Sequence, residues 1–438
     1  MSELQIGALI AVVTVVILLT GAPVAFSLGI VALAFLAIFD GLGSLSFVAD
    51  IFYGGLDSFS LLSIPMFILM GAAIASSRAG ADLYEALDRW LYRVPGGLMA
   101  SNLGACAIFA ALSGSSPATC AAIGKMGIPE MRKRGYPDSV ATGSIAAGGT
   151  LGILIPPSIT MIVYGIATET SIGRLFLAGL MPGLMLTGLF ILWGLYSARR
   201  HGYQFIEPGL RYSLKQKVEM LPKVGPFLAI IVGILWVLYG GVATPSEAAG
   251  VGAMFCLLLV VIIYKMRDRK AIWRIFQDSM RESVMILMII AAADLFSYMM
   301  SVLFITQSLA IWVGDLEINR WLLMGCINLF LLVAGFFLPP VAVILMAAPT
   351  LLPIVESLGF DAIWFAVVLT INMEIGLITP PVGLNLYVIN GIVPEVKLQT
   401  ILLGALPFML CMVLGIVLLC IFPEIALWLP TYLMGPGI

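Results

Sequence analysis

Four short stretches carry the residue types and spacings that can do chemistry: Ser113-Gly114-Ser115-Ser116-Pro117, Pro156-Pro157-Ser158, Pro339-Pro340 and Thr379-Pro380-Pro381. Each interrupts an apolar run. A proline inside a helix removes a backbone donor and clashes with the carbonyl four residues back, so a pair of prolines breaks it. At membrane depth the freed backbone groups are tolerated only where protein covers them or they line a cavity. A helix that restarts after a break presents free N–H groups and a partial positive charge, which suits an anion. Proline at its first position wastes no donor. Such starts are expected after Ser116-Pro117, Pro157, Pro340 and Pro381, which makes Ser116, Pro157, Ser158, Pro340, Pro381, Gly383 and Asn385 the substrate-binding candidates. The helix ends before each break offer carbonyl oxygens. Together with hydroxyls and amides nearby, these can replace the hydration shell of Na⁺. Candidate Na⁺ ligands are Ser113, Gly114, Ser115, Thr150, Gly152, Asn372, Glu374, Gly376 and Thr379.

No Lys or Arg lies deep in an expected span or at a break, so an anion would be held by helix starts, hydroxyls and amides unless Arg320 reaches it. Asp294 and Glu374 stand in apolar runs, where an ionisable residue points to function by default. Glu374, two residues before Gly376, suits either ion-site tuning or a structural hydrogen bond; Asp294 suits a brace between helices. Glu247 in ATPSEAAG reads as a helix-start acid, with Thr244 or Ser246 as the cap. The six cysteines sit in apolar runs without metal-ligand spacing, and the single histidine, His201, follows two arginines in a polar stretch. That spacing offers no catalytic pair or metal framework.

The elements that must position these residues are membrane helices. The chain is 61% hydrophobic and 11% charged, against roughly a quarter charged in soluble domains. An all-α polytopic membrane protein is expected, embedded in a lipid bilayer and with nothing that suggests nucleic acid. The first apolar run starts at once and lacks a basic leader, so no cleavable signal peptide is expected. Spans are expected at residues 4–20, 24–39, 61–77, 139–168, 172–198, 222–239, 246–264, 282–300, 362–392 and 398–422. Residues 82–93 and 301–313 suit helices along the interface.

Residues 98–128 and 321–355 are read differently. Basic clusters flank the first at both ends (Arg89 and Arg93; Lys125, Arg132, Lys133 and Arg134), whereas Asp315, Glu317, Glu356 and Asp361 flank the second. Under the positive-inside rule both ends of each stretch lie on one side, inside for the first and outside for the second. Two re-entrant helical hairpins entering from opposite faces follow, although a single ordinary span is the alternative for the first. With five spans per half, the second half inserts upside down. All Lys and Arg except Arg174 and Arg320 then fall inside, and both termini fall outside.

The halves also match in residues. An offset of 224 takes Pro129 to Pro353, Gly135 to Gly359, Gly152 to Gly376, Pro156 to Pro380 and Pro157 to Pro381. The expected domains are repeat 1 at 1–198 (scaffold 1–95, hairpin and broken helix 96–198), a cytoplasmic linker at 199–221, and repeat 2 at 222–438. In repeat 2 the scaffold covers 222–313, and the hairpin and broken helix cover 320–422.

With these breaks in place, ALSGSSPATCAAIG, PEMRKRGY, GGTLGILIPPSITMIVYG and GLITPPVGLNLYV follow one another in the order of a known family. The chain resembles the large membrane subunit, DctM type, of tripartite ATP-independent periplasmic (TRAP) transporters. The resemblance implies an inverted repeat of about ten spans plus two hairpins, moving as an elevator. It implies Na⁺-coupled uptake of an organic acid across the bacterial inner membrane. It further implies a small four-helix membrane subunit (DctQ type) and a periplasmic substrate-binding protein (DctP type) as partners, and no organic cofactor. A stand-alone anion carrier is the alternative; an intramembrane enzyme is remote, because neither a nucleophile–base pair nor a metal motif is present.

Overall fold

The computed structural model describes residues 1–94, 96–202, 212–315 and 318–435. The middle of the expected linker, with Arg211, lies outside the described residues, as does Glu317. All regular structure among them is helical. Ser2 and Gln5 form a capping box at the start of α1 (Glu3–Leu19), and α2 (Val24–Phe35) restarts after Pro23. Next come α3 (Val48–Leu56), α4 (Ser63–Ala75) and the amphipathic α5 (Ala79–Leu91). Then follow α6 (Gly97–Ser113), α7 (Ser116–Lys133), α8 (Asp138–Thr150), α9 (Ile159–Ala167) and α10 (Ile172–Arg200). After the short α11 (Leu214–Val218), α12 (Leu221–Tyr239), α13 (Pro245–Ile263), α14 (Arg269–Val302) and α15 (Ile305–Asp315) open the second half. It continues with α16 (Arg320–Phe337), α17 (Pro340–Ser357), α18 (Ala362–Leu377), α19 (Leu384–Ile392), α20 (Leu398–Ile421) and α21 (Glu424–Met434).

Element boundaries recur at the offset of 224. Ser113 and Phe337 end α6 and α16, Ser116 and Pro340 start α7 and α17, and Asp138 and Ala362 start α8 and α18. The peptide bonds Pro156-Pro157 and Pro380-Pro381 are both cis.

Among the described residues seven helices are long and apolar enough to cross a membrane, and the bent pair Leu42–Leu56 and Phe59–Ala75 makes an eighth. That pair begins in residues 40–60, which lie between the expected spans 24–39 and 61–77. Val48, Ile51 and Phe52 pack on the core while Tyr53 is exposed, the spacing of a half-buried helix. A second difference lies at residues 265–281, which fall between the expected spans 246–264 and 282–300: from Arg269 onward they belong to α14, which runs for 34 residues. Its buried face continues through Ile275, Ser279, Ser283 and Ile286, and both serine hydroxyls bond the carbonyl four residues back. The charges ride on the other faces. The last expected span is not the last helix either, since α21 follows it and packs on α10, with Ala426 and Pro430 buried.

The core is built on the first arms of the broken helices. Every residue of α18 from Ile363 to Leu377 is buried, and so is α8 from Ala141 to Thr150. Small residues let backbones approach here, as membrane helix packing requires. A Cβ on Gly404 of α20 would lie 1.8 Å from the Ser139 carbonyl oxygen.

Candidate functional site

The turn between α6 and α7 is set by Gly114, whose φ of +59° favours glycine. Two hydroxyls are engaged locally: Ser113 Oγ and Thr119 Oγ1 lie 2.9 Å apart, and each is also within hydrogen-bonding distance of the Ser115 carbonyl, so two protons serve three contacts. Between α16 and α17 the chain stays extended through Leu338 and Pro339, and Pro340 is the first helical residue.

Each tip is packed on the break of its own half. A Cβ on Gly152 would stand 2.6 Å from the Ser115 carbonyl oxygen, and one on Gly376 would stand 2.5 Å from that of Gly335. In the second half the Val382 N–H also donates to the Phe336 carbonyl at 3.2 Å.

The breaks correct one detail of the sequence reading. Helix starts are expected directly after Pro157 and Pro381, but both prolines lie in the connecting turns. Ser158 instead caps α9, accepting from Met161 N at 3.2 Å. Gly383, with φ +50°, precedes α19. The chain must leave each proline pair before it can recover helical geometry, and a capping hydroxyl or a glycine makes that turn.

The two halves meet at Ser116 and Asn385. Asn385 Nδ2 donates to Ser116 Oγ at 2.8 Å and to the Ala146 carbonyl at 3.1 Å, and the Ser116 hydroxyl lies 3.1 Å from Asn385 Oδ1. All of this is buried.

The remaining candidates have local partners or none. Thr150 bonds the Ala147 carbonyl, and Thr379 bonds Ile375 and reaches Met409 Sδ. Asn372 Nδ2 donates to Asn328 Oδ1 and to the Val368 carbonyl. Glu374 is fully buried, and neither carboxylate oxygen has a hydrogen-bond partner among the described residues. Leaving such a group without compensation is costly.

One cavity of about 500 Å³ gathers both tips and both breaks. Gly114, Ser115, Ser116 and Pro117 line it from one tip and Pro339, Pro340 and Val341 from the other; Ile159, Thr160 and Leu384 come from the helices that restart after the breaks. The start of α2 and the middle of α14 complete the lining. Among the candidates, Gly114, Ser115, Ser116 and Pro340 line this cavity. Pro157, Ser158, Pro381, Gly383 and Asn385 are not part of the lining, nor are Ser113, Thr150, Gly152, Asn372, Glu374, Gly376 and Thr379.

The sequence reading missed Thr160, Gly335, Asn328 and Glu282. For Glu282 a signal existed: it starts the α14 stripe Glu282, Met285, Ile286 and Ile289 that lines the cavity, a single helical face.

The family model "Tripartite ATP-independent periplasmic transporter, DctM component" matches residues 11–425. The chain is 38% identical over 377 residues to the C4-dicarboxylate TRAP transporter large permease protein DctM of Pseudomonas aeruginosa, covering 86% of this chain and 87% of that protein. It is 30% identical to the sialic acid TRAP transporter large permease protein SiaM of Vibrio cholerae, over 96% and 97% of the two chains. Among solved structures it is similar to the YdaH transporter of Alcanivorax borkumensis, with a TM-score of 0.66 over 92% of this chain and 91% of that one. At 16% identity that likeness speaks for the fold alone.

Proposed function

The chain belongs to the DctM family of TRAP transporter large permease proteins, multi-pass membrane proteins that are not enzymes, and from that premise we propose that it carries an organic carboxylate inward, driven by Na⁺. The observation that carries this reading is the cavity where both tips and both breaks converge. The starts of α7 and α17 face it, and their free N–H groups and dipoles are matched to a carboxylate. Ser115, Ser116 and Thr160 add hydroxyl residues to a lining that is apolar apart from Glu282. The chemical task of these residues is binding and orientation, without a covalent step.

The polar groups around the cavity fit Na⁺, which prefers neutral oxygens in number. In the first half the Ser115 carbonyl lies against Gly152, a contact that a side chain would fill. Ser113 precedes Ser115 by two residues, as Thr150 precedes Gly152. In the second half Gly376 lies against the Gly335 carbonyl, with Thr379 one turn on. Glu374 supplies a buried carboxylate without a partner that a cation could balance. These groups would hold the coupling ion behind the tips, so that the ion orders the same backbone that binds the anion.

An inverted repeat and an elevator motion complete the reading. The repeat is supported by boundaries that recur at an offset of 224. Helices α16 and α17 are each long and apolar enough to cross by themselves, but a pair that crosses and returns leaves the topology unchanged. That their tip shares a cavity with Ser116 favours hairpins that stop inside the membrane. The moving unit would contain α6–α10 and α16–α20, and the scaffold the rest. Both termini would be periplasmic. A small membrane subunit and a periplasmic binding protein are the proposed partners, the latter delivering the substrate.

Proteoliposomes carrying the protein with its small subunit and binding protein test the proposal. Uptake of the carboxylate bound by the cognate binding protein should require an inward Na⁺ gradient. Equal uptake without any Na⁺ overturns the coupling, and equal uptake without the binding protein favours a stand-alone carrier.

A further inference from the structure

The central cavity has one titratable side chain among the described residues of its lining, and it is an acid: Glu282. It stands on α14, in the same lining as the tips and at the head of the stripe Met285, Ile286 and Ile289. Helical periodicity puts all four on one face, over about 10 Å of axis. Its side chain is exposed and has no ion pair or hydrogen bond among the described residues. Beside it the lining is apolar, from Phe26 and Met288 to Val341 and Leu377. A negative charge in so poorly polar a space acts over a longer distance than it would in water.

Two kinds of electrostatics therefore share one space. The starts of α7 and α17 present positive partial charge, and Glu282 presents a full negative charge. We infer that Glu282 determines substrate class: the cavity takes a molecule with a carboxylate at one end and a hydrogen-bond donor, hydroxyl or ammonium, at the other, and disfavours a dicarboxylate. This rests on the reading that the cavity binds an organic carboxylate. The anionic end pairs with the helix starts while the donor end reaches Glu282. A second carboxylate placed there would meet a like charge with no cation in the described lining to balance it.

The test uses three four-carbon probes that share one carboxylate and differ only at the far end: succinate, 4-hydroxybutyrate and 4-aminobutyrate. Binding is read as ligand-induced thermal stabilisation of the protein with its small subunit in nanodiscs containing Na⁺. The hydroxyl and amino compounds should bind at least about tenfold more tightly than succinate. Glu282→Gln should close the gap by tightening succinate, and Glu282→Met should tighten succinate while weakening 4-aminobutyrate. Because the gap is read between ligands of one folded sample, a general loss of stability in a variant cannot mimic it. Succinate binding as tightly as the other two in the native protein, or a gap that survives both variants, overturns the inference and leaves carboxylate transport standing. Failure of all three probes to bind overturns both.

Discussion

Ser116 and Asn385 stand 269 residues apart in sequence and meet in a buried pair, the hydroxyl at one tip against the amide at the start of α19. The bond ties the first half's hairpin to the second half's broken helix, and the Ala146 carbonyl extends it into α8. Asn385→Ala leaves the Ser116 hydroxyl without its amide partner in the core and removes the strongest side-chain donor to that carbonyl, which keeps only the weak Cys120 Sγ contact from a side chain. A loss of about 1–3 kcal/mol is expected. Ser116→Ala should cost less, since the asparagine keeps Ala146. In a double-mutant cycle read by thermal stability, the combined loss should fall short of the sum by about 1 kcal/mol. Additive losses would mean the pair is not coupled.

The crossing of α8 and α20 makes a prediction about backbone approach. A Cβ on Gly404 would lie 1.8 Å from the Ser139 carbonyl oxygen, a backbone atom that cannot swing away. Gly404→Ala is expected to destabilise by about 1–3 kcal/mol, the usual range for overpacking. A Cβ on Gly233 in α12 would meet nothing within 4 Å, so Gly233→Ala should be neutral or slightly stabilising. Melting temperatures of the two variants, measured side by side in detergent, separate these outcomes.

What was legible in the sequence follows from the same physics. Ser113, Ser116 and Pro340 mark helix ends because glycine and proline act locally, within one turn of chain. The 224-residue offset was visible because those same residues punctuate both halves. Less visible was α14, where the buried stripe runs on beneath Lys270, Arg274 and Arg281, so that counting charges hides the helix. The α3 segment, which lies between two expected spans, was hidden for the same reason: acids stand among its apolar residues, while Val48, Ile51 and Phe52 keep helical spacing. Pairings such as Asn372 with Asn328, or Glu282 with the cavity, depend on which helices become neighbours. No local pattern encodes that.

A pH dependence is expected at the proposed cytoplasmic side, where Arg132 bridges Asp138 at 2.7 Å and Glu395 at 2.5 Å. The Arg132 hydrogen bond holds the Glu395 carboxyl below the usual carboxylate range. A depressed carboxylate contributes stability above its unfolded value and loses it as pH falls through the folded one. Stability should therefore decline on acidification below the ordinary glutamate range. Arg132→Ala should flatten that decline, and because the pair is exposed the change should be small. Melting temperatures taken from about pH 7 down to about pH 3, a window set by carboxylate titration, check it; identical acid limbs would place the sensitivity elsewhere.

Glu374 makes the sharpest demand on the proposed ion sites. Its carboxylate is fully enclosed, both oxygens lack partners among the described residues, and Gly376 two residues on is pressed against the second hairpin's backbone. An ionised group in that position needs a cation beside it, whereas a protonated one needs only an acceptor. Glu374→Gln keeps the shape and removes the charge, so it distinguishes the two. If the carboxylate balances Na⁺, the variant should need about tenfold more Na⁺ for half-maximal uptake, equivalent to ~1.4 kcal/mol, while the protein still folds. Thr379→Ala, with no charge to lose, should shift the Na⁺ requirement less than Glu374→Gln, and Ser115→Ala should leave any effect at Glu374 intact because it belongs to the other half. Uptake measured against Na⁺ concentration, normalised to the amount of protein in the vesicle, separates these effects from expression. A Na⁺ requirement unchanged in Glu374→Gln removes the carboxylate from the ion site and leaves it a buried acid whose role is to hold α18 in place.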